Sequence, residues 1–542
     1  MSVRQTLARG LSKEMANQCA DVLRSLPQRR EMDGDHVQAI IEVLPKAPFA
    51  DHRHQITIGR RDDAHIYADF LPPSDPANPA RLQCAQQPRL RFGRHVPDFV
   101  EKQRPAIRLL ELADLLADSS GEGSALVTFD PALSAAIRDR FHYADVCPIQ
   151  GPRAFFENAG GSLTLKAAVE RTAELMAFPD NQGRANAASR YLMEIIAQGR
   201  DDMKLLMGAS SGEVFIGESG TELLGRLIRN ATLASSGAKI LGSHLEHPAT
   251  YSAGRRWAEV AGLTYEQVGF DTASTVVSVE QYRPALTPDL AVATIIHASP
   301  VTGMHVDVKA IAAEIRAIAP ECFIIVDGIQ HAAHGHVAVD DYGIDGYVVS
   351  GYKLFSRHNF GVAWVSDRLA TAPHDQLAGA PANVWELGTR DASAYAAFSE
   401  VVRYLEWLGA EVSDETEPRA QLEAASAAIR DQEQDLVDAM MWGTGGLPGL
   451  GQLDGVHVVG PEASEHRSGM VSFWIEGQDS LDVVDTLNAE GVRTHARKQD
   501  YYSASVLEPL GIDNCIRASA SHYNTRAEVE QLLATVNRLA GS

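Results

Sequence analysis

The sequence predicts an α/β fold with a large, mainly parallel sheet flanked by helices and a smaller α+β unit at the C-terminal end. From about Phe155 onward, short apolar runs alternate with amphipathic segments of roughly 12–16 residues, the pattern of strands and covering helices in a parallel sheet. Beyond about Asp391 the pattern changes to long helical stretches and then to mixed short elements. The 542 residues, 45% of them hydrophobic, suffice for two or three domains with large cores.

The elements of this fold can be assigned in chain order. Six buried strands are predicted for the large sheet, over Glu213–Ile216, Ala238–Leu241, Ala291–His297, Cys322–Asp327, Tyr347–Ser350 and Gly361–Val365. The later segments are predicted helices over Ser393–Leu408, Glu415–Met441 and Arg526–Leu539, and small-unit segments over Met470–Ile475 and Leu481–Glu490. The glycine-rich stretch 443–452 neither follows a buried strand nor opens a helix, so we interpret it as a turn.

These elements predict three parts of the chain. Residues 1–150 form an N-terminal extension of unassigned role with proline-rich turns, 151–390 form the large domain, and 391–542 form the small C-terminal domain. The first residues lack the continuous apolar core of a signal peptide. They predict instead an amphipathic helix whose apolar side carries Val3, Leu7, Leu11, Met15 and Val22.

Composition excludes several classes of partner. A formal net charge of −23 without a basic patch disfavours binding to nucleic acid or to anionic lipid, and no apolar run is long enough to span a bilayer. The five cysteines are widely spaced and form no C-x-x-C pair, which argues against a disulfide framework and a thiolate zinc site. We therefore expect a cytoplasmic protein in a reducing compartment, without nucleic-acid or membrane partners.

The segment from Cys322 to Trp364 carries the strongest chemical signal. One buried apolar strand ends in Asp327, and a second ends just before Lys353. In an open α/β sheet, ligands bind beyond the carboxyl ends of the strands, so both side chains should face one crevice. An amine and a carboxylate placed in this way suit pyridoxal phosphate, because the lysine forms a Schiff base and the carboxylate keeps the pyridine nitrogen protonated.

The same segment resembles the class V aminotransferase group of fold-type I pyridoxal-phosphate enzymes, which includes cysteine desulfurases and isopenicillin-N-epimerase-like proteins. That group carries a D-x-x-Q strand end followed by S-G-x-K, matched here by Asp327, Gln330, Ser350, Gly351 and Lys353. The resemblance covers about residues 155 to 539. It implies pyridoxal 5'-phosphate as the cofactor and a homodimer with shared active sites.

The resemblance also implies roles for these residues. Lys353 would be the Schiff-base lysine, Asp327 the partner of the ring nitrogen, Gln330 a hydrogen-bond partner of the ring oxygen, and Ser350 a phosphate contact. Tyr352 stands where the family usually has histidine, and its phenol can still donate to phosphate.

A phosphate site is predicted upstream. The stretch from Val214 to Ala234 has the pattern of a strand, a tight turn and a helix, which places Ser219, Gly220 and Thr221 at a helix N-terminus suited to phosphate. It resembles the G-T-T-E phosphate cup of the family. His247, in an E-H pair like that of the family, would then stack over the cofactor ring.

The substrate end is predicted to come from the C-terminal region. Arg517 ends a short predicted strand in a stretch resembling the family's R-x-S-x-x-x-Y-N-T motif, whose arginine binds the substrate carboxylate. The resemblance assigns Arg493 to substrate as well. Thr389 matches a threonine that reaches the phosphate of the partner subunit in this family.

Two departures from the family concern the reaction. Cysteine desulfurases carry a mobile-loop cysteine at the position of Lys498, and an amine cannot form a persulfide. Cys515 cannot replace that cysteine because it should be packed in a strand. Ser299-Pro300 replaces a common S-N pair, which indicates a change of substrate or reaction.

His331 and His334 lack a third ligand at a recognised spacing, so we predict no metal site.

The predicted function is that of a pyridoxal-phosphate enzyme acting at the Cα of an amino acid, with transamination as the working assignment. Three alternatives stay open at this point: a β-eliminating C–S lyase, an amino-acid epimerase, and a non-catalytic binding protein with the same fold. Keto acid, ammonia and exchange of the Cα hydrogen distinguish the three reactions.

Overall fold

The computed structural model describes residues 41–43, 54–56 and 128–541. The chain divides into two compact units, Met1–Asp118 and Ser119–Ser542. In the first unit, Ile41–Val43 and His54–Ile56 form a two-stranded antiparallel sheet. The predicted helix over residues 3–22 lies outside the described residues. The division of the chain at residues 150 and 390 stays a prediction.

The second unit contains the predicted large sheet. Its seven strands are β1 (Glu213–Gly217), β2 (Lys239–Ser243), β3 (Thr264–Val268), β4 (Leu290–Ile296), β5 (Phe323–Asp327), β6 (Gly346–Ser350) and β7 (Gly361–Val365). They lie in the order β1-β7-β6-β5-β4-β2-β3. Only β7 runs antiparallel to its neighbours, so the prediction of a mainly parallel sheet is confirmed.

Helices cover this sheet and the region that precedes it. Their bounds are α1 (Pro131–Asp139), α2 (Lys166–Met176), α3 (Ala187–Met207), α4 (Gly220–Ala234), α5 (Pro248–Ala261), α6 (Val308–Ile318) and α7 (Ala392–Val412), with single turns at Val279–Tyr282, Val339–Tyr342 and Asp367–Ala370. Leucines of α4 pack in one buried cluster with residues of β2, β5 and β6. Gly199 lets α3 approach α7, because a Cβ there would lie 2.7 Å from the Cβ of Tyr395.

The C-terminal part is built on a second sheet. Strands β8 (Val456–Val459), β9 (Met470–Ile475), β10 (His495–Lys498) and β11 (Asn514–Ser519) are all antiparallel, in the order β8-β9-β11-β10. The helices of this part are α8 (Pro418–Trp442), α9 (Ser480–Ala489), α10 (Ala504–Leu510) and α11 (Arg526–Ala540). One face of the sheet packs into a cluster with α8, α9 and α11 through Ala496, Ile516 and Ala518.

Most predicted elements are present with small shifts of their ends. Helix α8 begins three residues later than predicted because Pro418 occupies its first turn, where its missing N–H costs nothing. Strand β3 was missed: it lies at the edge of the sheet, and its half-exposed sequence TYEQV lacks the continuous apolar run of a buried strand. Residues 443–449 form turns after α8, followed by a 3-10 turn over Leu450–Gln452, as the turn interpretation requires.

None of the helices within residues 128–541 is both long and apolar enough to cross a membrane. The three cysteines in this range, Cys147, Cys322 and Cys515, have free thiols, and the last two are buried.

Candidate active site

The carboxyl edge of the large sheet opens into a small cavity of about 90 Å³. Parallel strands β5 and β6 pair with Asp327 opposite Val348, so their carboxyl ends meet at the same edge. The predicted residues that line this cavity are Ser219, Gly220, Thr221, His247, Asp327, Gln330, Ser350, Tyr352 and Lys353. Residues from four separate predicted motifs are thereby brought together.

Asp327 is the buried acid of the cavity. Its side chain is 3% exposed, its Oδ1 accepts from the Ile329 amide at 3.1 Å, and its Oδ2 accepts from the Thr250 hydroxyl at 3.2 Å. Burial raises the pKa of Asp327, and the charge of Lys353 partly opposes that rise. The carboxylate would therefore gain from a cation placed against it.

Lys353 follows β6 in a 3-10 turn over Gly351–Lys353. Its Nζ donates to Oε1 of Gln330 at 3.0 Å and has no carboxylate within 4 Å among the described residues. Burial, together with the charges of Arg517 and Arg497, lowers the pKa of Lys353 to about 7. A large fraction of this amine is therefore neutral, and so nucleophilic, at neutral pH.

This low pKa predicts the pH dependence of Lys353 labelling in the cofactor-free protein. The neutral amine is the reactive form, so the labelling rate should rise with pH and level off above about pH 7. Competitive labelling with acetic anhydride and peptide mass spectrometry measures this midpoint, with the exposed Lys309 of the same digest as the reference. A midpoint near pH 10, the ordinary range of lysine, would contradict the prediction.

A buried hydrogen-bond relay fixes the orientation of Gln330. His334 Nδ1 lies 2.8 Å from Oε2 of Glu433, and His334 Nε2 lies 3.3 Å from Nε2 of Gln330. A carboxylate only accepts, so Nδ1 of His334 carries the proton and Nε2 is left as an acceptor for the Gln330 amide. The carbonyl oxygen of Gln330 consequently faces Lys353.

Glu433→Leu should break this relay. A leucine at 433 cannot accept from Nδ1, so the imidazole proton is no longer held there and moves to Nε2, which forces the Gln330 amide to turn its NH₂ toward Lys353. Lys353 then loses an acceptor that favours its charged form, so its labelling midpoint should fall relative to the wild type. Glu423→Leu on the exposed side of the same helix is the matched control. An unchanged midpoint in Glu433→Leu would refute the relay.

The N-terminus of α4 faces the same cavity. Ser219 caps the helix, since its hydroxyl accepts from the Glu222 amide at 3.1 Å. Gly220 is needed for the close approach of Ser350, because a Cβ at this position would lie 2.5 Å from the Ser350 hydroxyl oxygen. Thr221 occupies the first turn of the helix and is exposed. The predicted placement of these residues at a helix N-terminus is confirmed.

His247 and Tyr352 border the cavity. His247 caps α5 by accepting from the Ala249 amide at its Nδ1, at 3.1 Å. Burial and the charges of Lys353 and Arg497 lower the pKa of His247 to about 3, so its imidazole is neutral. The ring of Tyr352 stacks on that of His358 with centroids 4.7 Å apart.

Arg517 lies inside β11, two residues before the strand ends, and is 2% exposed. Its Nη1 donates to the carbonyl of Pro300, which lines the cavity, at 2.9 Å. Its Nε is buried without a hydrogen-bond partner, and no carboxylate lies within 4 Å among the described residues. Burial and the charge of Arg497 lower the pKa of Arg517 to about 9.

Arg493 and Thr389 lie outside the cavity lining. Arg493 is exposed, and its Nε donates to Oε2 of Glu157 at 2.7 Å. Thr389 is exposed in the loop before α7. The predicted contacts of Arg493 with substrate and of Thr389 with the phosphate of a partner subunit stay predictions.

The sequence profile of the class-V aminotransferases matches residues 154–532, which is more than two thirds of the chain. The chain belongs to the class-V aminotransferase family. Members of this family use pyridoxal phosphate, so the chain is a pyridoxal-phosphate-dependent enzyme of fold type I. The predicted family, fold class, enzymatic nature and cofactor are thereby confirmed.

Similar curated proteins include a probable cysteine desulfurase of Mycolicibacterium paratuberculosis, 23% identical over 75% of this chain and 58% of that protein. A probable cysteine desulfurase 2 of Mycobacterium leprae is 24% identical over 66% of this chain and 85% of that protein. Among solved structures, the apo cysteine desulfurase of Thermococcus onnurineus has a TM-score of 0.62 at 21% identity, over 72% of this chain and 95% of that one. The last likeness shows the fold alone.

The cavity of this member of the class-V aminotransferase family fits its cofactor. The buried carboxylate of Asp327 complements a protonated pyridine nitrogen, and the low-pKa amine of Lys353 complements an aldehyde. Neither group has an ion-pair partner within 4 Å among the described residues. The helix N-terminus beside Ser350 is suited to a phosphate. When bound, pyridoxal phosphate supplies an electron sink for charge that develops at the Cα of an amino acid.

Sequence reasoning missed several residues of this enzyme that act on the site. Glu433 orients Gln330 through the relay, and Thr250 donates to Asp327. Glu157 pairs with Arg493. Arg497 places its charge near Lys353. The sequence signal in the stretch 493–498 is its missing cysteine, and no local motif singles out Arg497. The alternation of side chains along β10 could have indicated that Arg497 shares a face with His495.

Proposed function

We propose that this enzyme works at the Cα of an amino acid, with Arg517 binding the α-carboxylate and Lys353 holding the cofactor and moving the Cα proton. Transamination is the proposed reaction, and a homodimer in the reducing cytoplasm is the proposed working form. We further propose that no persulfide is formed, although similar proteins are described as probable cysteine desulfurases. Lys498 supports that departure, since it occupies the position of the sulfur-carrying cysteine.

The unpaired guanidinium of Arg517 carries this proposal. A buried cation without an ion-pair partner is costly, and this cost falls when an anion binds to it. Planar guanidinium groups bind carboxylates through two parallel hydrogen bonds. An amino acid offers such a carboxylate directly on its Cα.

Lys353 supports the second half of the proposal. An amine with a pKa of about 7 can accept and return a proton near neutral pH, which is the requirement for a general acid–base group. The positive charges of Arg517 and Arg497 help to keep this pKa low. A bound carboxylate on Arg517 would offset part of that charge and make the amine a stronger base.

Two substitutions of Arg517 test the carboxylate assignment. Arg517→Gln should lower kcat/KM for amino acids about 10²- to 10³-fold, since a bidentate charged contact is lost, and Arg517→Lys should restore only part of it. Cofactor content and thermal unfolding are compared in both variants as the control for folding. A kcat/KM in Arg517→Gln within about twofold of wild type would overturn the assignment.

The products of the reaction distinguish transamination from β-elimination and epimerisation. Transamination requires an added keto acid as amino acceptor and yields a new amino acid. A β-eliminating lyase releases ammonia and a keto acid without an acceptor, and an epimerase exchanges the Cα hydrogen without releasing either. Either of these outcomes would replace transamination, and a persulfide on a cysteine of the protein after incubation with cysteine would overturn the exclusion of desulfurase chemistry.

A further inference from the structure

The active-site face of the C-terminal sheet carries a second guanidinium. In the antiparallel pair β10–β11, His495 lies opposite Arg517 and Arg497 lies opposite Cys515. Side chains alternate along a strand, so these four residues share one face. The alternate residues Ala496, Ile516 and Ala518 fill the core on the other face. Arg497 and Arg517 are therefore diagonal neighbours on the face that reaches Pro300.

Arg497 has no anion of its own. Among the described residues its side chain makes no hydrogen bond and has no carboxylate within 4 Å, and its Nε is buried without a partner. The groups that favour its charge include Asp500 and Tyr502, whose ring centroid lies 5.9 Å from the guanidinium carbon. A half-buried guanidinium with so little compensation is suited to an anionic ligand.

Arg497 lies close enough to the reacting centre to bind an anionic group of the substrate there. Its charge acts on Lys353, His247 and Arg517. The ring of Tyr502 lies 6.0 Å from the ring of His247, which lines the cavity. Arg497 thus lies beside the cavity that holds Lys353, on the side of His247 and Tyr502.

The other expected anions already have binding groups. The cofactor phosphate is expected at the N-terminus of α4 and Ser350, and the α-carboxylate of the substrate at Arg517. The carboxylate of Glu157 is engaged by Arg493 at 2.7 Å. Among the described residues beside the cavity, Arg497 is left without an anion, and the remaining variable part of an amino acid is its side chain.

We propose that the substrate is a dicarboxylic amino acid whose side-chain carboxylate binds to Arg497 while its α-carboxylate binds to Arg517. This inference rests on the proposed function and narrows it to one substrate class. Arg497 is thereby the residue that determines specificity, because a neutral or cationic side chain would leave its guanidinium without an anion.

Binding of two matched ligands to the cofactor-loaded full chain tests the proposal without turnover. Succinate and its monoamide succinamate have nearly the same shape and differ in one negative charge. Calorimetry should give a Kd about tenfold to a hundredfold lower for succinate, the range expected for a charge-assisted contact. This comparison on the wild-type enzyme does not depend on the folding of any variant.

Substitutions then test whether Arg497 is the source of the preference for succinate over succinamate. Arg497→Gln should bring the ratio of the two Kd values close to one, and Arg497→Lys should keep part of it. Lys309→Gln removes the same charge from an exposed position outside the cavity lining, so the ratio should be unchanged. In the matched turnover assay, Arg497→Gln should lower kcat/KM for aspartate far more than for asparagine.

The possible failures are distinguishable. Equal Kd values in the wild type, a ratio that survives Arg497→Gln, or equal weakening of both ligands in that variant would overturn the dicarboxylate inference and leave the proposed function standing. Binding of neither ligand, or binding that Arg517→Gln leaves unchanged, would overturn both.

Discussion

Replacing Lys353 with alanine is expected to lower turnover about 10⁴-fold or more and to remove the covalent hold on the cofactor. The variant loses both the nucleophile and the group that moves the Cα proton, and acid–base catalysis alone contributes about 10²- to 10⁴-fold. Steady-state assays measure the first effect. Borohydride treatment followed by peptide mass spectrometry measures the second, since in the wild type the reduced cofactor should be found on Lys353.

Small amines provide the control for this variant. Ethylamine can enter the space left by the lysine side chain and carry a proton, so it should restore part of the activity of Lys353→Ala in a concentration-dependent manner. Unchanged thermal unfolding shows that the fold is kept. Wild-type turnover in Lys353→Ala, or borohydride trapping of the cofactor on another lysine, would overturn the assignment of Lys353.

The parts of the site that lie on buried strands could be predicted from the sequence. Strands β5 and β6 are continuous apolar runs, and the rule that ligands bind at the carboxyl ends of such strands places Asp327 and Lys353 together. The helix beginning at Gly220 carries its own local signal, because Ser219 is a good capping residue. Short-range patterns of this kind can be read from one sequence.

The parts that depend on distant contacts could not be predicted in the same way. Glu433 lies 99 residues from His334 along the chain, and Glu157 lies 336 residues from Arg493. No periodicity or local motif links residues that far apart, since their meeting depends on how the two sheets and their helices pack. The edge strand β3 escaped prediction for a related reason, because its half-exposed sequence carries a weak apolar signal.

Asp327→Asn is expected to slow catalysis without lowering the stability of the protein. The asparagine oxygen can still accept from the Ile329 amide, so the local fold is kept while the negative charge is lost. Loss of this preorganised charge should slow the cofactor-loaded enzyme about 10²- to 10³-fold. Steady-state kinetics at matched cofactor occupancy provide the measurement.

The stability of the cofactor-free protein should change in the opposite direction. Burial raises the pKa of Asp327 in the folded state, so ionising this group costs stability as the pH rises above its unfolded pKa, and the neutral amide removes that cost. Asp327→Asn should therefore unfold at the same or a higher temperature than the wild type at pH 7.

The equally buried Asp345, which pairs with Arg316 and Arg368, gives the contrasting control. Asp345→Asn should lower the unfolding temperature and leave kcat of the folded enzyme unchanged, because its charge stabilises the fold and lies outside the cavity lining. A loaded Asp327→Asn enzyme with wild-type kcat would refute the proposed role of Asp327 at the cofactor ring.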